Sequence, residues 1–253
     1  MSSNITVLIT GASRGIGSGL VAAYLNLPST TVVAAVRKTA SAESLHLLPK
    51  ALGSRLVVIE VDVASVDTIK HGIASLRSEH NIDSLDIVLA NAGDASLSPK
   101  AAESEISDIQ PFINVNAYGQ LELYKAVAPL LRASKSEKGR FMYMSSVAGS
   151  LTSMNTIVDL SAYGASKAFA NFLFRWLSFE QEDIIVWAQH PGIVATEKAK
   201  VAFEDLKLKG IDIAPLAVSV EQSCNDILQI VANATLEKTH GKFLGPDSVE
   251  LPW

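Results

Sequence analysis

The stretch TGASRGIG, residues 10–17, follows the β-branched run ITVLIT (5–10) and opens a helical pattern. Three of its eight residues are glycine: Gly11, Gly15 and Gly17. Glycine permits left-handed backbone and lets a ligand or another chain segment come close. A turn from strand into helix also leaves the first helical N–H groups unpartnered, at the positive end of the helix dipole. Such a place suits a pyrophosphate. The spacing is GxxxGxG, whereas the standard dinucleotide fingerprint is GxGxxG. Its place after an N-terminal strand gives the loop its weight. A plain strand-to-helix turn is the alternative.

Outward from this loop the chain alternates short apolar runs with longer helical patterns. TVVAAV (31–36), RLVVIEV (55–61), LDIVLA (85–90), RFMYMS (140–145) and IIVWAQ (184–189) read as strands, with KFLG (242–245) as a short last one. Their apolar runs are nearly continuous, as expected when both sheet faces are covered. Helical patterns occupy 15–26, 65–79, 104–132, 162–180 and 220–233. This alternation predicts an α/β fold with one doubly wound parallel sheet of about seven strands and helices on both faces. No linker, repeat or low-complexity tract interrupts it, so residues 1–253 are expected to form one domain.

Composition narrows the function. The chain of 253 residues is 48% hydrophobic and carries a formal net charge of −5. That balance does not suit nucleic acid. His46, His71, His80, His190 and His240 are scattered, and Cys224 is the single cysteine. An intrachain disulfide and a Cys-rich zinc site are excluded, and no metal is expected. The opening MSSNITVLITG lacks the basic region and length of a signal peptide, and no run approaches a membrane span. A cytoplasmic location is expected, with the sequons at Asn4 and Asn233 unmodified.

In an open α/β sheet, ligands bind beyond the carboxyl ends of the strands. The second strand ends in AAVRKTA (34–40), without the acid that usually holds an NAD ribose. It offers Arg37 and Lys38 instead, and the glycine loop adds Arg14. A guanidinium pairs well with a 2′-phosphate, so NADP(H) is the expected cofactor. Further on, SAYGASK (161–167) puts Tyr163 and Lys167 one helical turn apart. Free tyrosine has a pKa near 10, and a neighbouring ammonium lowers it toward use as an acid. On its own such a pair is common on a solvated helix face.

The order of motifs goes further. TGASRGIG (10–17), VDV (61–63), NAG (91–93), NVNAYG (114–119), MSSVAGS (144–150), YGASK (163–167) and HPGIVAT (190–196) follow one another at strand ends. Together they resemble the short-chain dehydrogenase/reductase family over nearly the whole chain. The opening ASRGIGSGLVAAYLN (12–26) and the closing LPW (251–253) are similar to the fungal branch of ketoreductases like norsolorinic acid ketoreductase.

The resemblance implies a Rossmann-type fold and a set of roles by position. Gly11, Ser13, Arg14, Ile16 and Gly17 would line the phosphates and adenosine ribose, with Arg37 at the 2′-phosphate. Asp62 and Val63 would meet the adenine, and Asn91, Ala92 and Gly93 would border the cofactor. Pro191, Gly192, Val194 and Thr196 would contact the nicotinamide end. Asn116, Ser146, Tyr163 and Lys167 would form the catalytic group. Tyr163 would be the acid/base, and Lys167 would lower its pKa and bind the nicotinamide ribose. Ser146 would orient the carbonyl, and Asn116 would hold a water in the proton path.

Two departures stand out. Ala90 occupies the place where the family commonly has a first Asn, and Ser146 lies 17 residues before Tyr163, longer than usual. Ser145 therefore competes with Ser146, although the pattern favours the second serine of the pair.

Helical spacing puts Tyr163, Lys167, Ala170 and Phe174 on one face, with Ala165, Phe169, Phe172 and Trp176 roughly opposite. Large apolar groups on both faces imply burial on both sides. Either a partner subunit covers the second, as in a homodimer or homotetramer, or another helix of the same chain does. Three segments, 94–104, 147–160 and 197–215, should build the substrate pocket. The last, with Val201, Phe203, Leu206 and Leu208, reads as a lid or a packed surface helix. Nothing in them demands a charged substrate. A hydrophobic ketone or secondary alcohol is expected, with an aromatic polyketide suggested by the resemblance.

Two classes of function follow. One is an NADPH-dependent ketoreductase. The other is a non-reducing protein of the same fold, either an NADP-sensing regulator or an enzyme of another reaction. The intact Asn116, Ser146, Tyr163 and Lys167 set favours the first.

Overall fold

The computed structural model describes residues 4–155 and 157–253. Met1–Ser3, which open the N-terminal stretch, and Thr156, in the second pocket segment, lie outside the described residues. Seven strands form one sheet: β1 (Ile5–Thr10), β2 (Thr30–Val36), β3 (Arg55–Glu60), β4 (Ile87–Ala90), β5 (Gly139–Met144), β6 (Ile184–Gln189) and β7 (Phe243–Leu244). All neighbours pair in parallel, in the order β3-β2-β1-β4-β5-β6-β7. The chain changes direction across the sheet between β1 and β4. That switch point opens a crevice beyond the strand ends.

Helices α1 (Gly15–Leu25), α2 (Glu43–His46), α3 (Val66–Ser78), α4 (Ile106–Ile113), α5 (Gly119–Arg132), α6 (Ser161–Glu180), α7 (Glu197–Leu208) and α8 (Val220–Ala232) accompany the strands. Side chains alternate between the two faces of each strand. On one face Leu8, Val33 and Val88 pack with Ile73 of α3, Val127 of α5 and Phe174 of α6. On the other, Val7, Ile9 and Val32 pack with Leu20 of α1 and Ile227 of α8. Two dry layers explain the unbroken apolar runs in the strands.

The structure differs from the sequence reading in two places. The single helix expected over 104–132 is α4 and α5 joined by a π turn at Asn114–Tyr118. The wider turn puts Gly119 against Val63, where an added Cβ would meet the Val63 carbonyl carbon at 2.8 Å. Such turns are uncommon and concentrate at functional sites. The short α2 was not anticipated, because four residues are too few for a helical period to show. No helix among the described residues is long and apolar enough to cross a membrane.

Just before β4, Asp86 stitches the sheet to the turn that enters β5. Its buried carboxylate accepts from the Thr6 N–H (2.8 Å), the Ser134 hydroxyl (2.7 Å) and the N–H groups of Lys135 (2.9 Å) and Ser136 (3.0 Å). Hydrogen bonds to a charged group are the strong ones, and stranded donors cost more than a lost bond. Asp86→Ala should lower unfolding free energy by about 3 kcal/mol or more in urea denaturation. A loss below about 1 kcal/mol would mean that water replaces the carboxylate at little cost.

Candidate active site

The glycine loop is pressed against the end of β4. Gly11 and Gly15 have φ of 65° and 57°. A Cβ on Gly11 would lie 2.9 Å from the Ala92 Cα, and one on Gly17 would lie 2.8 Å from the Asn91 amide nitrogen. Asn91 Nδ2 donates to the Thr10 carbonyl (2.9 Å), and the Ala92 N–H donates to the Thr10 hydroxyl (3.0 Å). Loop and strand end are thus locked together, and the residues present fit a dinucleotide phosphate.

Arg14 is the N-cap residue of α1, in extended backbone, and its exposed side chain makes no capping bond. Ser13 and Ile16 are half-buried, and Arg37 is exposed just past β2. Asp62 accepts from the Ala64 N–H at 3.0 Å, while the Val63 side chain is buried in the core. What this pair can offer a ligand is the half-exposed Asp62 and backbone atoms.

The facing wall comes from the segment after β6. Gly192 has φ of 85°, and the Pro191 carbonyl accepts from the Ser223 hydroxyl at 2.8 Å. Val194 is buried and bridges to Val218 in parallel. Thr196 caps α7 by accepting from the Ala199 N–H (3.2 Å) and approaches the glycine loop at Gly15.

Behind this cleft the four expected catalytic residues come together. Ser145 and Ser146 leave β5 with opposite directions. The Ser145 hydroxyl donates to Asn171 Oδ1 (2.5 Å) inside the core. Ser146 is half-buried, starts a short 3₁₀ turn, and lies within hydrogen-bonding reach of the Tyr163 phenol. His190 holds this turn from the side, its Nδ1 accepting from the Val147 N–H at 3.4 Å. Burial pushes that imidazole down to about 4, so it is neutral and able to accept.

Lys167 is only 3% exposed, and its ammonium donates to the Met144 carbonyl at 2.7 Å. Burial without a carboxylate partner pulls its pKa down to about 7. In the ligand-free chain burial therefore acts on both members of the Tyr163–Lys167 pair. The Tyr163 phenol is pushed up by its own burial, with Ser146 partly offsetting the rise and Asp94 adding to it. The same burial that shields the phenol also weakens the charge meant to help it.

Asn116 sits fully buried in the π turn. Its Oδ1 accepts from the Asp94 N–H (2.9 Å), and its Nδ2 donates to the Asp94 carbonyl (2.8 Å) and the Ser166 hydroxyl (2.9 Å). Both Nδ2 donors are used by these bonds, so a water could be held only by an acceptor, Oδ1 or the main-chain carbonyl. That carbonyl already accepts from the Tyr143 hydroxyl at 3.2 Å, which leaves one lone pair.

Sequence reasoning missed Asp94, Tyr143, Ser166 and His190. Asp94 follows NAG directly, and Ser166 lies within YGASK, so adjacency to a motif was the available signal. Tyr143 was read only as strand core, which it also is.

The three pocket segments meet at the mouth. Lys198 of α7 reaches Ser96 (3.0 Å) and Asp94 (3.5 Å), and the Ser98 N–H donates to the Asp159 carbonyl (3.4 Å). Along α7, Leu206 is buried and Phe203 half-buried, but Val201 and Leu208 are exposed. On α6, Lys167, Ala170 and Phe174 face the core as expected, while Phe172 and Trp176 are exposed on this single chain.

A glycine cradle at the switch point of an open parallel sheet defines a dinucleotide-binding α/β protein. The family model for short chain dehydrogenase matches residues 5–207. A short chain dehydrogenase of Penicillium aethiopicum, gsfK, is 49% identical over 250 residues, covering 98% of this chain and 99% of the relative. Norsolorinic acid ketoreductase nor1 of Dothistroma septosporum is 35% identical over 256 residues, covering 100% and 94%. NADPH-bound carbonyl reductase from chicken fatty liver superposes with a TM-score of 0.83 at 27% identity, covering 98% of both chains. The chain belongs to the short-chain dehydrogenase family. It is accordingly an oxidoreductase that works with a nicotinamide cofactor.

Proposed function

We propose that residues 1–253 form one domain that is an NADPH-dependent ketoreductase, turning a hydrophobic ketone into a secondary alcohol. The observation that carries this reading is the Ser146–Tyr163 hydroxyl pair, backed by buried Lys167, behind the glycine-lined cleft. Relatives named as a norsolorinic acid ketoreductase and a carbonyl reductase support it, and the former favours an aromatic polyketide ketone.

Bound NADPH would supply the hydride. Ser146 hydrogen-bonds the substrate oxygen and orients it, as a donor in an oxyanion hole does. Tyr163 gives that oxygen its proton as charge develops there. Lys167, when its ammonium is formed, stabilises the phenolate left behind and reaches the ribose hydroxyls. The free lone pair of the Asn116 carbonyl can hold the water that returns a proton to the site. Arg14 and Arg37 would pair with the 2′-phosphate.

Monitoring NADPH and NADH oxidation with a panel of aromatic and aliphatic ketones tests the reading. The parent should prefer NADPH, and the Arg14→Ala/Arg37→Ala double variant should lose about 100-fold in NADPH kcat/KM while keeping its NADH rate. A parent that prefers NADH sinks the cofactor assignment. Failure to reduce any ketone in the panel sinks the reaction assignment.

The reading includes a homodimer or homotetramer. Leu121, Phe172, Leu173, Trp176 and Leu177 line a groove of about 400 Å³ between α5 and α6, and Phe172, Trp176 and Phe179 are each more than half exposed. A patch of this kind on one chain marks an interaction surface. Light scattering at micromolar concentration should give a multiple of the chain mass, and a monomer would overturn this point.

A further inference from the structure

Tyr143 lies in the middle of the sheet, on β5, and is fully buried. Its ring stacks on Phe174 at 4.6 Å between centroids and 13° between planes. The Lys167 ammonium stands over the same ring, 4.8 Å from its centroid. Its hydroxyl donates to the Asn116 carbonyl at 3.2 Å. One core side chain therefore touches two of the four residues assigned to the reaction.

We propose that Tyr143 is a positioning residue: its ring face holds the Lys167 ammonium, and its hydroxyl holds the Asn116 carbonyl at the π turn. This inference rests on the ketoreductase reading of the same site. An ammonium buried this deeply needs partners, and among the described residues no carboxylate forms an ion pair with Lys167. The groups against it are Tyr163 on its own helix, Tyr143 and the Met144 carbonyl from β5, and Gly93 from the loop after β4, while the site's other titratable groups, Asp94 and His190, act on Tyr163 and on the Val147 N–H. His190 is neutral, and Asp94 turns its carboxylate to Ser96 and Lys198. Of the remaining groups, only aromatic faces and a carbonyl favour the charged form. A ring face attracts a desolvated cation strongly, and Tyr143 is the nearer of the two rings.

The hydroxyl has a separate task. It occupies one lone pair of the Asn116 carbonyl and so fixes where the second one points. The hydroxyl can be removed while the ring stays, so the ring's part is read against the variant that has lost the hydroxyl alone.

The test follows the Lys167 side chain by NMR titration of ¹³C-labelled lysine, assigned with Lys167→Met, in the ligand-free chain. Tyr143→Leu should move the Lys167 titration about one pH unit lower. Tyr143→Phe, which keeps the ring, should leave it in place. If the Leu variant does not fold, pentafluorophenylalanine at 143 keeps the shape, reverses the charge of the ring face and should give the same downward shift. In NADPH oxidation, the alkaline limb of the Leu variant should move to lower pH by the same amount. Tyr143→Phe should keep the parent's limb but lose about fivefold to tenfold in kcat with an unchanged KM for NADPH.

A Lys167 titration unmoved in the Leu or fluorinated variant overturns the ring's role whatever the turnover. A Phe variant with the parent's kcat overturns the role of the hydroxyl. If the titration shifts as stated but the parent reduces no ketone in the panel, the ketoreductase reading fails while the Tyr143–Lys167 coupling stands.

Discussion

Replacing Tyr163 with Phe should lower kcat for ketone reduction by about 10³-fold while NADPH still binds. The change deletes one oxygen and keeps the ring, so the packing of α6 is preserved. That oxygen lies beside the Ser146 hydroxyl, so Ser146 is left to orient a carbonyl that nothing protonates. Burial keeps the phenol above its ordinary pKa in the free chain, so at neutral pH it holds its proton, as a reductase acid must. Lys167 titrates near 7 for the same reason of burial. Its ammonium is present below that pH and lost above it. Reduction should therefore fall as pH rises through neutrality, as the charge that stabilises the departing proton's phenolate is lost. Stopped-flow NADPH oxidation with a reducible ketone, alongside fluorescence titration of NADPH, separates the two effects. A variant within tenfold of the parent would remove Tyr163 from the role of acid.

The sheet was legible because burial on both faces leaves a plain mark, unbroken runs such as ITVLIT (5–10) and IIVWAQ (184–189). These coincide with β1 and β6 to the residue. The glycine loop was legible for a related reason, since Gly11 needs a positive φ that few other residues tolerate. The π turn was not, because one widened turn barely disturbs a helical period over nearly thirty residues. The sign of the Tyr163 shift was also hidden. Spacing shows that Lys167 stands one turn away but says nothing of how much water reaches either group. Burial, a tertiary property, decides that sign in the ligand-free chain. The pair Ser145 and Ser146 shows what a sequence leaves open. Two adjacent serines leave a strand in opposite directions, and only the position of Asn171 shows which one is turned inward.

The cleft also links parts that the sequence keeps apart. Asn116 grips the backbone of Asp94 from both sides, and Asp94 meets Lys198 at the start of α7. The helix over the pocket thus connects to the π turn through one residue. The Lys198–Asp94 pair is half-exposed, and such pairs contribute only about 0–1 kcal/mol. It ties α7 to the loop after β4 only weakly.

The second large effect falls on the cofactor cradle. Gly17→Ala should weaken NADPH binding about 10–100-fold. Gly17 belongs to α1, and helix propensity alone would favour alanine there by about 1 kcal/mol. Contact decides otherwise. The added methyl would run into the Gly11 carbonyl oxygen and approach the Gly11 carbonyl carbon and the Asn91 amide, each at 2.8 Å. Two of these are backbone atoms of the loop itself, and Asn91 is tied to Thr10. None is the loose end of a flexible side chain, so the loop must open. Overpacking of this kind costs about 1–3 kcal/mol. Borne by the cradle, that cost is about one to two powers of ten in Kd. Gly210→Ala makes the control, because its φ is 81° but nothing lies within 4 Å of the new methyl. It should lose about 1 kcal/mol of stability through backbone strain and nothing in NADPH affinity. If Gly17→Ala bound NADPH as tightly as the parent, the loop at 10–17 would not be the phosphate site.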